Sequence, residues 1–224
     1  MTVVNKLFSS KAPNLPIGPV DYAQRYQEQL NNILRLYFNE IDNTFAALLA
    51  TEAGGHYLKF PYIGASDSTD QYAGGNDTPT IVKWNTLDYG NTFTLAANTA
   101  TAKYSGIYKI DYSLQFINTD NVQHDATVWI KVNGNNVANS ASKFSLGPRK
   151  SATIFTYTVG YSSIVFQLNA GDSIGLWWAT GAAYNPVGPV NGIYIAHEPA
   201  QTVPYSHPAI PSAVGAITFL SELP

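Results

Sequence analysis

Residues 106–118, GIYKIDYSLQFIN, decide the fold of this chain. Apolar and polar side chains alternate along the whole stretch. One face carries Tyr108, Ile110, Tyr112, Leu114 and Phe116, and the other carries Lys109, Asp111, Ser113 and Gln115. Successive side chains of a β-strand point to opposite sides, so this period of two predicts a long strand with one face in a core.

The same alternation recurs outward from this strand. Residues 126–132 repeat it and end in Asn133-Gly134, a pair typical of a type I′ hairpin turn. Further runs cover residues 151–160, 162–168, 173–180, 192–197 and 213–223, with weaker candidates at 57–63, 80–87 and 92–96. About ten short strands without intervening helices predict an antiparallel sandwich or barrel. A surface loop is expected at 64–79, and a stiff, extended connection at 198–212, which holds four prolines.

The period changes near residue 50, because residues 21–50 repeat their apolar side chains at helical spacing. We predict an amphipathic helix over 21–52, with Asp21 as N-cap and Gly54-Gly55 as the stop. It is expected to serve attachment or trimerisation through Tyr26, Leu30, Ile33, Leu34, Tyr37, Phe38, Ile41, Phe45 and Leu48. This stripe is wider than a two-stranded seam, which favours three or more helices, or one helix lying on a β surface.

Residues 1–20 are predicted to form an extended arm, because Pro13, Pro16 and Pro19 recur at every third position. Leu15, Ile17 and Val20 make the arm apolar. Two interpretations stay open: a disordered leader, or a docking peptide that lies on a partner.

Composition restricts the classes of function. The 224 residues suit one β domain, at 57–223, plus an N-terminal appendage, and the absence of Cys removes disulfides and thiolate chemistry. A net charge of −3 offers no basic field for nucleic acid. No apolar run is long enough to span a membrane, and the N-terminus does not have the pattern of a signal peptide, so we expect folding in a cytoplasm.

The order of several short motifs in the β body resembles C1q/TNF-like jelly-roll domains. The motifs are residues 82–85 (VKWN), 91–94 (NTFT), 106–108 (GIY), 132–134 (VNG), 165–174 (VFQLNAGDSI) and 216–220 (AITFL). The resemblance implies an all-β fold: a ten-stranded antiparallel sandwich, the jelly roll, here preceded by one long α-helix. It also implies trimers packed around aromatic faces, and structural or binding roles rather than catalysis. The segment 198–212 is longer than this family's pattern before the last strand.

The N-terminal segment resembles a different group of proteins. Residues 13–16 (PNLP) and 22–43, with QLNNILRLYFN at 29–39 as the distinctive part, are similar to leaders on structural proteins of marine bacteriophages that infect cyanobacteria and related hosts. The resemblance implies an attachment segment grafted onto varied heads.

Catalytic and metal-binding patterns are weak. The four histidines, at 56, 124, 197 and 207, show no metal-ligand spacing. Asp67, Asp70 and Asp77 share one predicted loop, and Asp120 and Asp125 another, where turn formation and calcium binding are both open interpretations. No nucleophile motif occurs. We expect no enzyme activity, no cofactor and no metal.

Aromatic residues are the candidates for contacts made by the β domain at 57–223, called the head here. Trp177 and Trp178 are adjacent on a predicted strand, so one is expected in the core and the other on the surface. Trp129, Trp177, Trp178 and Tyr184 are the candidates for a subunit interface or a ligand surface such as a sugar-stacking platform.

These observations together predict a homotrimeric virion protein of a phage. Its head would be a capsid decoration or a short head or tail fibre, bound to other virion proteins through the N-terminal segment. It would lie on the virion surface after assembly in the host cytoplasm. The alternatives are an adhesin that binds a host-surface glycan or protein, a glycan-degrading tail enzyme, which would need two facing carboxylates, and a secreted C1q-like ligand.

Overall fold

The computed structural model describes residues 13–15, 20–21, 23–49, 60–188 and 191–223, with residues 47–49 described by their backbone alone. The chain divides into two units, Met1–Phe60 and Pro61–Pro224. Among the described residues, the first unit contains the helix and the second contains the strands.

Helix α1 spans Gln24–Leu49. The carbonyl of Ala23 accepts hydrogen bonds from the amides of Tyr26, at 3.0 Å, and Gln27, at 3.2 Å. The prediction that the helix begins at Asp21 is therefore wrong, because the first turn closes on Ala23 and places Asp21 outside the helix. The predicted end at 50–52 and the Gly54-Gly55 stop lie outside the described residues.

The described residues of the second unit form thirteen strands. They are β1 (Tyr62–Asp67), β2 (Thr80–Ile81), β3 (Thr86–Asn91), β4 (Phe93–Ala96), β5 (Thr99–Ala102), β6 (Gly106–Asn118), β7 (His124–Val132), β8 (Asn135–Asn136), β9 (Ser142–Leu146), β10 (Thr156–Leu168), β11 (Ser173–Thr180), β12 (Ile193–Ile195) and β13 (Ala213–Ser221).

The strands form two antiparallel sheets. The first has the order β10-β6-β13-β1-β3, with β12 also paired to β6. The second has the order β4-β5-β11-β7-β8, with β2 paired to β11 and β9 paired to β7. Eight strands, β1-β13-β6-β10 facing β5-β11-β7-β9, have the neighbour order of a double-sheet jelly roll. The predicted all-β jelly-roll sandwich with one N-terminal helix is confirmed.

The core lies between the two sheets. Strand β6 alternates buried and partly exposed residues along most of its length, as residues 106–118 predict. Tyr108 and Phe116 of β6 are fully buried, and their rings lie 5.5 Å from Phe219 and 5.8 Å from Trp178. The inner face of β6 therefore contacts its own sheet neighbour and the facing sheet through aromatic rings.

The sequence predicted the turn after β7 correctly but divided strand β10 in two. The type I′ turn is confirmed, since Asn133 and Gly134 both have positive φ, 50° and 80°, between β7 and β8. The predicted break between residues 160 and 162 is wrong, because β10 continues through both. A Cβ at Gly160 would come within 2.6 Å of the Phe116 ring, so this glycine marks close packing rather than the end of a strand.

Two predicted irregular segments also differ. Residues 64–67 belong to β1 instead of a surface loop, because this strand pairs with both β13 and β3 and buries Ala65 and Asp67. The Pro-rich segment folds back on itself instead of running extended. Its backbone forms bridges between Glu198 and Ile210 and between Gln201 and His207.

Candidate functional site

The outer face of the first sheet carries an exposed apolar surface, called the apolar face here. On β10, the exposed fractions are 63% for Tyr157, 55% for Val159, 58% for Tyr161 and 57% for Val165. On the far side of β6, the strands β13, β1 and β3 of the same sheet add Val214, Leu220, Tyr62 and Tyr89. Outward positions of a sheet that faces only water usually carry polar side chains, so this face has the composition of a contact surface.

The charged side chains at the centre of the apolar face are paired with each other. Lys109 Nζ lies 3.0 Å from Asp111 Oδ2, and the hydroxyl of Tyr161 donates to Asp111 Oδ1 at 3.3 Å. The hydrogen bond and charge of Asp111 raise the pKa of Lys109. A partner that covers the face would therefore meet an ion pair with its hydrogen bonds already formed, instead of isolated charges.

The outer face of the second sheet is different. Trp129 and Trp177 lie directly opposite each other on β7 and β11, and both are half-buried. Lys131 Nζ lies 4.0 Å from the centre of the Trp177 ring, and Trp129 Nε1 donates to Asn136 Oδ1 at 2.9 Å. Among the described residues, the strands of this sheet carry no exposed large apolar side chain. The two indoles are thus partly covered by their own neighbours.

The remaining two aromatic candidates have different positions. Trp178 is fully buried in the core, so its inclusion among interface or ligand residues is corrected: the inward side of β11 faces the other sheet. Tyr184 lies in a cluster of three tyrosines. Its ring is 5.7 Å from Tyr72 and 4.9 Å from Tyr194, and Tyr72 is 5.3 Å from Tyr194.

A cleft of about 450 Å³ opens beside this cluster. Its lining combines Ile117 of β6, Tyr157 of β10 and Tyr194 of β12 with His197, Glu198 and Gln201 of the chain that follows β12. The order of strands explains why Tyr157 and Tyr194 lie in one cleft. Strands β10 and β12 pair with the same end of β6, one on each side of it.

Hydrogen bonds hold the residues around this cleft. Asp70 accepts a hydrogen bond from the Tyr72 hydroxyl at 3.2 Å and from the backbone amide of His197 at 2.8 Å. Burial, followed by the charge of Asp70, raises the pKa of Tyr194 to about 12. The same two causes raise the pKa of Tyr72. Both tyrosines therefore stay neutral hydrogen-bond donors at physiological pH.

Sequence reasoning missed this cleft. None of its lining residues is among the predicted sites, since only the neighbouring Tyr184 was a candidate. The available signal was the length of the proline-rich segment 198–212 relative to the family pattern, together with the polar side chains of Glu198, Gln201 and His207 within it.

The loop carboxylates have protein partners. Asp67 accepts from the amide of Thr69 at 2.8 Å, and Asp120 Oδ2 lies 2.8 Å from His124 Nε2. The hydrogen bond from His124 lowers the pKa of Asp120. Over the part of the chain that the structure describes, no three His, Asp or Glu side chains are grouped so that they could hold a metal ion.

The N-terminal candidates lie on α1 or before it. Tyr26, Leu30, Ile33, Leu34, Tyr37 and Ile41 are half-exposed. Phe38 and Phe45 are more exposed, as are Leu15 and Val20 of the arm. The side chain of Leu48 and all of Ile17 lie outside the described residues. Within the described chain, no helix has the length and apolar character needed to cross a membrane.

Similarity to known proteins is found among solved structures. The globular domain of zebrafish complement 1qA protein matches 73% of this chain and 99% of its own, with 13% identity and a TM-score of 0.41. No protein-family model matches the chain, and no curated protein matches it.

Proposed function

We propose that this protein is a homotrimeric structural component of a phage particle. Three heads associate through the apolar face, and the N-terminal segment attaches the trimer to other virion proteins. The observation that carries the trimer is the apolar face itself. Large apolar side chains occupy four of five consecutive outward positions of β10, and Ser163 occupies the fifth.

Burial of this face contributes favourable free energy to association. Fully burying one large apolar side chain contributes about 1.5–3 kcal/mol. The four β10 side chains are more than half exposed. Covering them therefore contributes roughly 4 kcal/mol per protomer, before the other strands of the face are counted. In a closed trimer the face is repeated on each copy, and each copy meets its two neighbours through different parts of that face.

Attachment to a virion is supported by the N-terminal segment. Residues 29–39 carry the resemblance to leaders of phage structural proteins. In α1, Leu36, Phe38 and Phe45 expose more than half of their surface. Exposed aromatic side chains at helical spacing favour a helix that docks in the groove of another protein or against copies of itself.

The trimer is tested by the mass of the purified chain. We expect light scattering at micromolar concentration to give three times 24.3 kDa. The mass should be insensitive to salt, because the association is mainly apolar and its central ion pair is internal to each head. A monomeric mass at this concentration would contradict the proposal.

Attachment is tested by deletion of residues 1–50. We expect the truncated chain to fold, because the strands of the described chain lie in the unit Pro61–Pro224, and to be absent from assembled particles. Circular dichroism is the control for folding, and quantitative mass spectrometry of purified particles gives the copy number. Incorporation at the normal copy number would refute the role of the N-terminal segment.

A further inference from the structure

The cleft beside β12 has the composition of a small-ligand site. Two tyrosine rings, those of Tyr157 and Tyr194, line it together with the polar groups of Gln115, His197, Glu198 and Gln201. Its volume of about 450 Å³ lies within the range of ligand pockets. Apolar rings with a few convergent polar groups are the usual plan of such pockets.

We propose that this cleft binds a neutral saccharide. A sugar has one apolar face of C–H groups, which packs on an aromatic ring, and a rim of hydroxyls, each of which both donates and accepts hydrogen bonds. The Glu198 carboxylate accepts such bonds, and the amides of Gln115 and Gln201 both donate and accept them. The cleft therefore offers both kinds of contact, aromatic rings for the C–H face and polar side chains for the hydroxyls.

Other classes of ligand fit less well. A purely apolar ligand would exclude water from the amide of Gln115, the imidazole of His197 and the second oxygen of the Glu198 carboxylate. Each buried polar group that loses its partner costs about 1–3 kcal/mol. An anionic ligand would face Glu198, and the described lining residues include no Lys or Arg to balance a negative charge. A cationic ligand would meet Glu198 Oε1 already accepting a hydrogen bond from Gln201 Nε2, with His207 Nε2 at 3.9 Å.

The walls of the cleft are held in place without a ligand. Glu198 and Ile210 exchange two backbone hydrogen bonds, of 3.0 and 2.8 Å, and Gln201 Nε2 donates to Glu198 Oε1. Tyr194 is fixed by pairing of β12 with β6 and by the rings of Tyr72 and Tyr184. Because these side chains are already ordered, binding a ligand loses less conformational entropy at the site.

The cleft lies at one end of the outer face of the first sheet, where Tyr157, Ile117 and Tyr194 pair across β10, β6 and β12. Tyr157 belongs to both the cleft and the apolar face, so the mass of every variant is measured beside its binding. A variant that loses saccharide binding but keeps its mass tests the cleft and leaves the trimer unaffected. A variant that changes its mass but keeps saccharide binding tests the trimer and leaves the cleft unaffected.

The test is a titration of the full-length chain followed by NMR. The probes are the methyl glycosides of glucose, galactose, mannose and N-acetylglucosamine, with glucuronic acid as the anionic comparison. We expect at least one neutral glycoside to bind with millimolar affinity and to shift resonances of Tyr157 and Tyr194. No binding by any neutral glycoside, or tighter binding of glucuronic acid, would overturn the proposal.

Variants locate the site. Glu198→Ala is expected to weaken binding at least about tenfold, because it removes a charged acceptor. Tyr194→Phe keeps the ring and its packing, and it is expected to retain part of the affinity. Tyr205→Ala is the matched control, since Tyr205 is exposed on the same segment but does not line the cleft. Loss of binding in Trp129→Ala, with Glu198→Ala unaffected, would place the site on the second sheet and refute the proposal.

Discussion

Replacing Val159 by Asp is expected to convert the trimer into monomers at micromolar concentration. Val159 lies between Tyr157 and Tyr161 on the outward side of β10, in the middle of the exposed apolar run. Threefold symmetry would repeat the new carboxylate on every protomer, where burial of an unpaired charge costs several kcal/mol. We expect association to weaken at least about a thousandfold. Light scattering and analytical ultracentrifugation measure this directly.

Val122→Asp is the control for this substitution. Val122 is exposed to a similar degree, 50%, but lies in the turn between β6 and β7, away from the apolar face. It introduces the same charge into the same side-chain type, so it should leave the mass unchanged. If Val159→Asp remains a trimer, or if both variants dissociate, the apolar face is not the subunit interface.

Replacing Trp178 by Ala is expected to lower the free energy of unfolding by about 3–5 kcal/mol. The side chain is fully buried, and its ring lies 5.8 Å from that of Phe116 on the facing sheet. Its removal leaves a cavity between two sheets that strand pairing holds apart, so the core cannot collapse fully to fill it. Urea unfolding measures the change, at one protein concentration for all variants, because association adds to apparent stability.

Trp177→Ala is the matched comparison for this loss. Its ring lies on the outer face of the same strand, and its specific contact there is with the ammonium group of Lys131. We expect it to cost about 1 kcal/mol, the size of a partly exposed cation–π contact with some lost packing. Equal losses for the two variants would contradict the assignment of Trp178 to the core and Trp177 to the surface.

The sequence was most informative where its pattern is local. Alternation in residues 106–118 predicted which side chains of β6 are buried, because a strand turns each successive side chain to the opposite face. The pair Asn133-Gly134 predicted its turn, because few other residues accept two successive positive φ angles. Strand bounds were less predictable. Gly160 looks like a strand break in the sequence. In the structure a glycine is needed there because the ring of Phe116, 44 positions away in the chain, leaves no room for a Cβ.

The candidate sites were less predictable than the fold. Alternation required that Trp177 and Trp178 face opposite sides, but it did not say which of the two enters the core. That choice depends on which face of β11 lies against the other sheet. The cleft was missed because its two tyrosines come from β10 and β12, which meet only through their common neighbour β6.

By itself, the sequence determined the helix ahead of a β body, the inward and outward positions along the main strands, and the jelly-roll class, because each follows from periodicity or from motif order along the chain. The tertiary structure decided that the outward apolar positions collect on one sheet, that Trp178 lies in the core, and that the segment after β12 folds back to wall a cleft with Tyr157 and Tyr194. The physical reason is the pairing of strands distant in sequence. The order of neighbours in a sheet is a property of the whole chain, and no local period encodes it.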